Sequence, residues 1–194
     1  IIWNKQQTVV KKQEWQHMGG QIDPYHVQME FSVKQLGMMT VRGHFTDVTG
    51  RGTIDPERAS PESIDVTIDT SSVRTNNPTR DNDIRGANFL DVEHFPEITF
   101  KSTGIRPTGD THFALSGDLT VKNVTRPVTL NVQKYGEFND PGMFGHRIAY
   151  SAEAQISRKD FGLTMNMVLD GRLVVGDEIK IEVELELVEQ KVEA

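Results

Sequence analysis

The chain contains no cysteine, which excludes a disulfide framework, a thiolate metal site and a cysteine nucleophile together. It contains no apolar run of the roughly 18 residues that a membrane-spanning helix needs. Basic residues are in the minority, Lys+Arg 21 against Asp+Glu 28 for a net charge of -7, the wrong balance for a protein that tracks nucleic-acid phosphates. Histidines are scattered at positions 17, 26, 44, 94, 112 and 146, with no pair at the short spacing of a zinc site. No serine has a GxSxG setting, and carboxylate pairs such as Glu182 and Glu184 read as the solvated face of a strand. Neither a metal centre nor a catalytic constellation is therefore expected.

What is present is alternation. Val27, Met29, Phe31 and Val33 alternate with Gln28, Glu30, Ser32 and Lys34, the period of a strand with one apolar face. The same pattern returns around Val41–Phe45, Ile64–Thr70, Ile98–Ser102, Phe113–Val121, Val128–Val132, Ile148–Ile156 and Ile179–Leu187. In the last of these Lys180, Glu182, Glu184 and Glu186 form the opposite face. Eight strands joined by turn-rich segments predict an all-β fold, an antiparallel meander closed into an eight-stranded barrel. Thr49–Gly52 and Pro107–Asp110 read as turns, and Gly43, Gly117, Ala152 and Ala154 as small residues that leave space inside. A length of 194 residues suits one domain. Residues 1–20 lack the alternation and end in Met18-Gly19-Gly20, so they read as a flexible N-terminal arm, with the barrel over 21–190.

One segment breaks the pattern. From Asn76, with Pro78 in a first turn and Asp81 and Asp83 near the positive end of a helix dipole, the chain predicts a short helix that runs to Pro96 and closes one end of the barrel. Ile84, Phe89 and Leu90 would be its buried stripe.

These stretches, in order, resemble the YceI-like family, lipocalin-like bacterial barrels that bind polyisoprenoid and related long apolar molecules. The resemblance runs from Ile22 to Leu187, through IDPYHVQMEFSVKQLG, VRGHFTDVTG, SSVRTNNPTRDNDIRGANFLDVEHFPEITFKST, GDLTVKNVTRPVTL and ISRKDFGL. The family pattern has His-Ser at His26-Val27 and a second histidine at Asp83, where an anionic head group would meet an extra negative charge. It commonly has glycine at Asn123, and asparagine tolerates positive φ well enough to keep that turn.

The resemblance implies an elongated apolar bore. By strand alternation Phe31, Val33, Phe45, Phe100, Leu115, Leu119, Leu130, Tyr150 and Ile181 would line it, with Phe89, Phe161 and Leu163 closing its ends. Arg42, Arg80 and Arg158 are the candidates for a polar head group. The expected function is non-enzymatic binding, carriage or storage of a long-chain isoprenoid or fatty lipid, with no cofactor. The alternatives are an enzyme using Asp81, Asp83, His94 or Asp160 as acid or base, and a structural domain with a filled core. Because the chain begins at Ile1 rather than Met, a leader is expected to have been removed or the chain to start late. Periplasm or secretion is then the expected location, with the cytoplasm as alternative, and a homodimer is allowed.

Overall fold

The computed structural model describes residues 18–55, 60–140, 142–169 and 171–190. Strand β1 (Met18–Gln35) is followed by β2 (Met39–Phe45), β3 (Val48–Asp55) and β4 (Ser60–Asp69). A short 3-10 turn and β5 (Val73–Arg74) lead to the helix α1 (Pro78–Arg85). Then come β6 (Glu97–Pro107), β7 (His112–Val121), β8 (Val124–Asp140) and β9 (Gly145–Ser157). A second 3-10 turn, Arg158–Phe161, precedes the small hairpin β10 (Val168–Leu169) and β11 (Arg172–Leu173), and β12 (Val175–Glu189) ends the barrel.

β2 and β3 are two halves of one path along β1, Met29 facing Phe45 and Gly20 facing Gly52. Counted together they make eight staves whose spatial order is their chain order, and β12 closes on β1 through pairs from Gly20 with Glu189 to Gln35 with Val175. The up-and-down barrel expected from the alternation is therefore the one formed, and closure leaves no free edge between the staves. The interruption at Thr46-Asp47 is filled by Ser72, whose carbonyl accepts from Thr46 N at 3.4 Å and whose Oγ accepts from Asp47 N at 3.1 Å. Buried backbone groups freed by a break need such partners.

Several local expectations change. Met18–Gly20, read as the end of a flexible arm, are already ladder-paired with Gly52–Ile54 of β3, while 1–17 lie outside the described residues. Thr49–Gly52 lie inside β3 rather than in a turn. At the β7–β8 turn it is Lys122 that takes the positive φ, 55°, and not Asn123. α1 stops at Arg85 instead of running to Pro96. Beyond it the chain folds into tight turns, with Leu90 N donating to Ile84 O and Val92 N to Arg85 O, so Phe89 and Leu90 reach inward from a loop.

Gly43 and Gly117 do not leave empty space either. A Cβ on Gly43 would lie 2.3 Å from the Phe31 ring, and one on Gly117 would lie 2.3 Å from the Phe100 ring. Each glycine is the seat of an aromatic ring from the neighbouring stave. Ala152 and Ala154, by contrast, border open volume.

Candidate functional site: a one-ended apolar bore

The interior divides along the barrel axis. One end is solid: Ile22, Ile54, Phe113, Val132, Ile148, Tyr150 and Leu187 are all buried. Beyond this apolar layer lies a polar cap. Lys134 Nζ donates to Glu137 Oε2 at 2.7 Å, Glu137 Oε1 is 2.7 Å from His146 Nε2, and His146 Nδ1 is 3.8 Å from Glu189. The Lys134 ammonium, against the opposing effect of burial, and then His146 hold the Glu137 carboxyl below the usual carboxylate range. Burial pushes the Tyr150 hydroxyl up, and the Glu137 charge adds to it, so Tyr150 stays neutral. Outside the wall, β1 bulges between Ile22 and Val27. Asp23 in that bulge accepts from Arg147 at 2.5 Å and from Tyr25 N at 2.9 Å, and Arg147 also donates to Glu186 at 2.9 Å. Burial pushes the Asp23 carboxyl up, but bonds from Arg147, His26 and Tyr25 N outweigh it and hold it at about 2. Asp23, His26 and Glu186 have the spacing of a cation site; Arg147 sits among them and already supplies the positive charge.

The other end is hollow. A cavity of about 250 Å³ lies between the staves, near the lower edge of the roughly 300–1,000 Å³ typical of small-molecule pockets. Along β12 the lining runs from Val175 to Leu185, ten steps of about 3.3 Å that span about 33 Å of strand and, at a tilt of about 40°, about 25 Å of axis. Of the twelve residues expected to line or close a bore, eleven border it: Phe31, Val33, Phe45, Phe89, Phe100, Leu115, Leu119, Leu130, Phe161, Leu163 and Ile181. The exception is Tyr150, which belongs to the solid end. Phe31 and Phe45 pack ring on ring, 5.6 Å between centroids. Ile84 of α1, Phe89 and Leu90 of the loop after it, Phe161 of the second 3-10 turn and Leu163 just beyond that turn form part of the lining.

Among the described residues two charged ones border the cavity, Glu30 and Arg158. Glu30 is exposed, on the outward face of β1 opposite His44 and Glu182. Arg158 is 2% exposed. Its guanidinium donates to the carbonyls of Leu163, Met165 (3.0 Å), Gly176 (2.9 Å) and Val175 (3.4 Å) and to Asp177 Oδ1 (3.3 Å). All five N–H hydrogens of an arginine are thereby engaged, so Arg158 staples the roof to β12 and has none left for a head group. Arg42 is exposed on the outer face, paired across the ladder with Ser32. Arg80 donates from Nε to Thr75 Oγ1 and from Nη2 to Thr75 O, both at 2.8 Å. Thr75 in turn donates its N–H and hydroxyl to Asp81 Oδ1 at 2.7 and 2.5 Å. These bonds from Thr75 lower the Asp81 carboxyl despite its burial and lash α1 to the rim.

Of the acid–base candidates Asp81, Asp83, His94 and Asp160, none borders the cavity. His94 is on the surface, bonded to Asp91 at 2.9 Å. Sequence reasoning missed the polar cap and the Arg158 staple. The cap's Lys134, Glu137 and His146 meet across the β8–β9 hairpin, where their polar pattern reads as an exposed strand face, and a buried arginine that bonds mainly carbonyls carries no local pattern. Among the described residues no helix is long and apolar enough to cross a membrane.

Residues 21–187 match the YceI-like domain. The protein YceI of Salmonella arizonae is 36% identical over 166 residues, 86% of this chain and 83% of that one. Among solved structures, Burkholderia cenocepacia BcnA superposes with a TM-score of 0.73 at 22% identity, covering 85% of this chain and 98% of its own. A polyisoprenoid binding domain from Saccharophagus degradans does so with a TM-score of 0.64 at 15% identity, covering 89% and 99%. At these identities the two structures show the shared fold.

Proposed function

The chain belongs to the YceI-like domain family, and on that premise we propose that its bore holds the apolar chain of an isoprenoid or similar long amphiphile, carrying or storing it chemically unchanged. The observation that carries this reading is the lining: a cavity about 25 Å long by the strand geometry, bordered by aliphatic and aromatic side chains, by one arginine whose donors are all engaged and by Glu30, whose side chain lies on the outward face of β1. Such a surface offers an apolar chain everything it needs and a polar substrate nothing. The ligand named for the Saccharophagus degradans domain is of that chemistry.

Magnitudes fit. Each methylene-sized unit removed from water contributes about 0.8 kcal/mol, so ten such units supply about 8 kcal/mol, the equivalent of micromolar affinity before ordering costs are subtracted. No buried charge is required. Selection is then by length and shape, and the head group stays near solvent. The same lining supports carriage without chemistry, since its one carboxylate, Glu30, is on the outward face of β1 and its one cation, Arg158, is fully engaged.

Titration with prenyl alcohols of increasing length tests this. Affinity should rise with each unit until the bore is full and then level off, and it should change less than twofold between low and moderate salt, because no counterions are released. Affinity independent of chain length, or a ligand returned chemically altered, would overturn the reading.

A further inference from the structure

The bore has a floor as well as a lining. Along the inward face of β9 the side chains run Ile156, Ala154, Ala152, Tyr150 and Ile148 from the hollow end to the solid one. The first three border the cavity and the last two do not. The stop falls where the side chains change size: two alanines leave the bore open, and the next residue on that face is a tyrosine only 4% exposed. The neighbouring strands stop at the same depth. On β7 the lining ends at Leu115, short of Phe113, and on β8 at Leu130, short of Val132; Phe113 stands opposite Val132 in the ladder. On its other side Tyr150 is paired with Leu185, the last residue of β12 to border the cavity. Behind the tyrosine is the polar cap. The Glu137 charge acts on its hydroxyl, and Lys134, the ladder partner of Tyr150 on β8, donates to Glu137 at 2.7 Å. A chain pushed past Tyr150 would part those charges from their partners and from water, which is costly.

We propose that Tyr150 is the stop that fixes how long a chain the bore accepts, and that the small residues Ala152 and Ala154 above it set the ligand by its number of prenyl units. This rests on the reading of the bore as the holder of an isoprenoid chain. It also fixes the direction in which the chain lies: the terminal isoprenyl group meets the Tyr150 floor, and the head group stays at the roof end. The cap behind the floor has no vacancy for a head group, because Glu137 is already shared by Lys134 and His146. The graduation comes from strand geometry. Residues on one face are two apart, about 6.6 Å of strand and, at a tilt of about 40°, about 5 Å of axis. An extended prenyl chain, built of carbon–carbon bonds of about 1.5 Å, repeats after about 5 Å as well. Each step along the inward face of β9 therefore matches about one prenyl unit.

A series of prenyl alcohols of increasing length, titrated against the full chain and its variants, reads the number of units at which affinity levels off. In Ala152→Leu the levelling should come about one unit earlier than in the parent, and in Ala154→Leu about two units earlier, since each raises the floor by one or two steps of that face. Tyr150→Leu lowers the floor and should move the levelling about one unit later. Gln155→Leu adds the same side chain on the exposed outer face of β9, opposite Lys180, and should leave the limit where it is. The two alanine variants fill open volume, so they decide the matter even where Tyr150→Leu melts too early to be titrated. A limit that stays put in both, that moves equally in both, or that moves as far in Gln155→Leu overturns the proposal, and so does a folded Tyr150→Leu protein with the limit of the parent. A parent that takes up no prenyl alcohol, or binds all lengths alike, overturns the reading of the bore and this proposal with it. A parent with a clear limit beside variants that share it overturns the floor alone.

Discussion

The two halves of the barrel use the same strands for different ends. Near Leu187 and Ile148, both at most 1% exposed, facing side chains meet and the interior is a packed core capped by Lys134, Glu137 and His146. A few residues further along the same strands, Ile181 and Ala152 face a cavity instead. Polar groups at the solid end stand inside the wall as a cap; at the hollow end they hold the roof in place from behind, through Asp81 with Thr75 and Arg158 with the carbonyls of Leu163 and Met165. Stability and capacity are thus assigned to different lengths of one sheet. A barrel that binds a chain, as proposed here, leaves part of its apolar face unpaired when empty, and the packed far end supplies the buried core.

The contrast is broken most severely in the core. Leu187→Ala removes a side chain with close neighbours on all sides and should cost about 2–5 kcal/mol, whereas Ile181→Ala, whose side chain already borders open volume, should cost only about 1–2 kcal/mol. Urea unfolding of the two variants measures the difference, and equal losses would mean that the two halves are packed alike. Next in size is the roof. Asp81→Ala strands the Thr75 N–H and hydroxyl and unties α1, a loss of about 1–3 kcal/mol, accompanied by faster release of a bound chain in stopped-flow displacement.

Acid should weaken the solid end. The Asp23 carboxyl is depressed from 3.8 to about 2, so its contribution is complete above its unfolded value and disappears as pH falls from about 4 towards 2. Asp23→Asn should therefore be less stable at neutral pH and show a shallower loss between pH 4 and 2 in thermal melts. The smallest effect belongs outside: Glu182→Trp, on the outer face of β12, should change stability by no more than about 0.5 kcal/mol and leave chain binding unaltered.

The staves were legible in the sequence because a strand with one buried face has to alternate, and β12 does so from Ile179 to Leu187 without a fault. The same rule placed eleven lining residues, since the cavity simply shares the inward face. It misplaced Tyr150 because alternation says which face a residue occupies and nothing about how far along the bore the space extends. The length of α1 was overread since no proline stands between Pro78 and Pro96 to end it, yet Asp91 takes a φ of 51° and the backbone turns back on itself. Gly43 and Gly117 looked like voids; only the ladder shows that Phe31 and Phe100 lie over them. Arg158 looked like a head-group ligand because an arginine's partners, when they are carbonyls, leave no trace in sequence.

The central claim, an interior that is hollow where Val183 stands and made to hold a chain, is tested most directly by native mass spectrometry and melting of Val183→Trp beside the parent. Val183 lines the cavity and is buried. After incubation with a long prenyl alcohol the parent should carry one ligand mass that an organic extract recovers intact. Val183→Trp, its indole occupying the bore, should melt within about 1 kcal/mol of the parent and remain ligand-free. A variant that unfolds early by the roughly 1–3 kcal/mol of an overpacked core, beside a parent that never takes up the chain, would contradict the account.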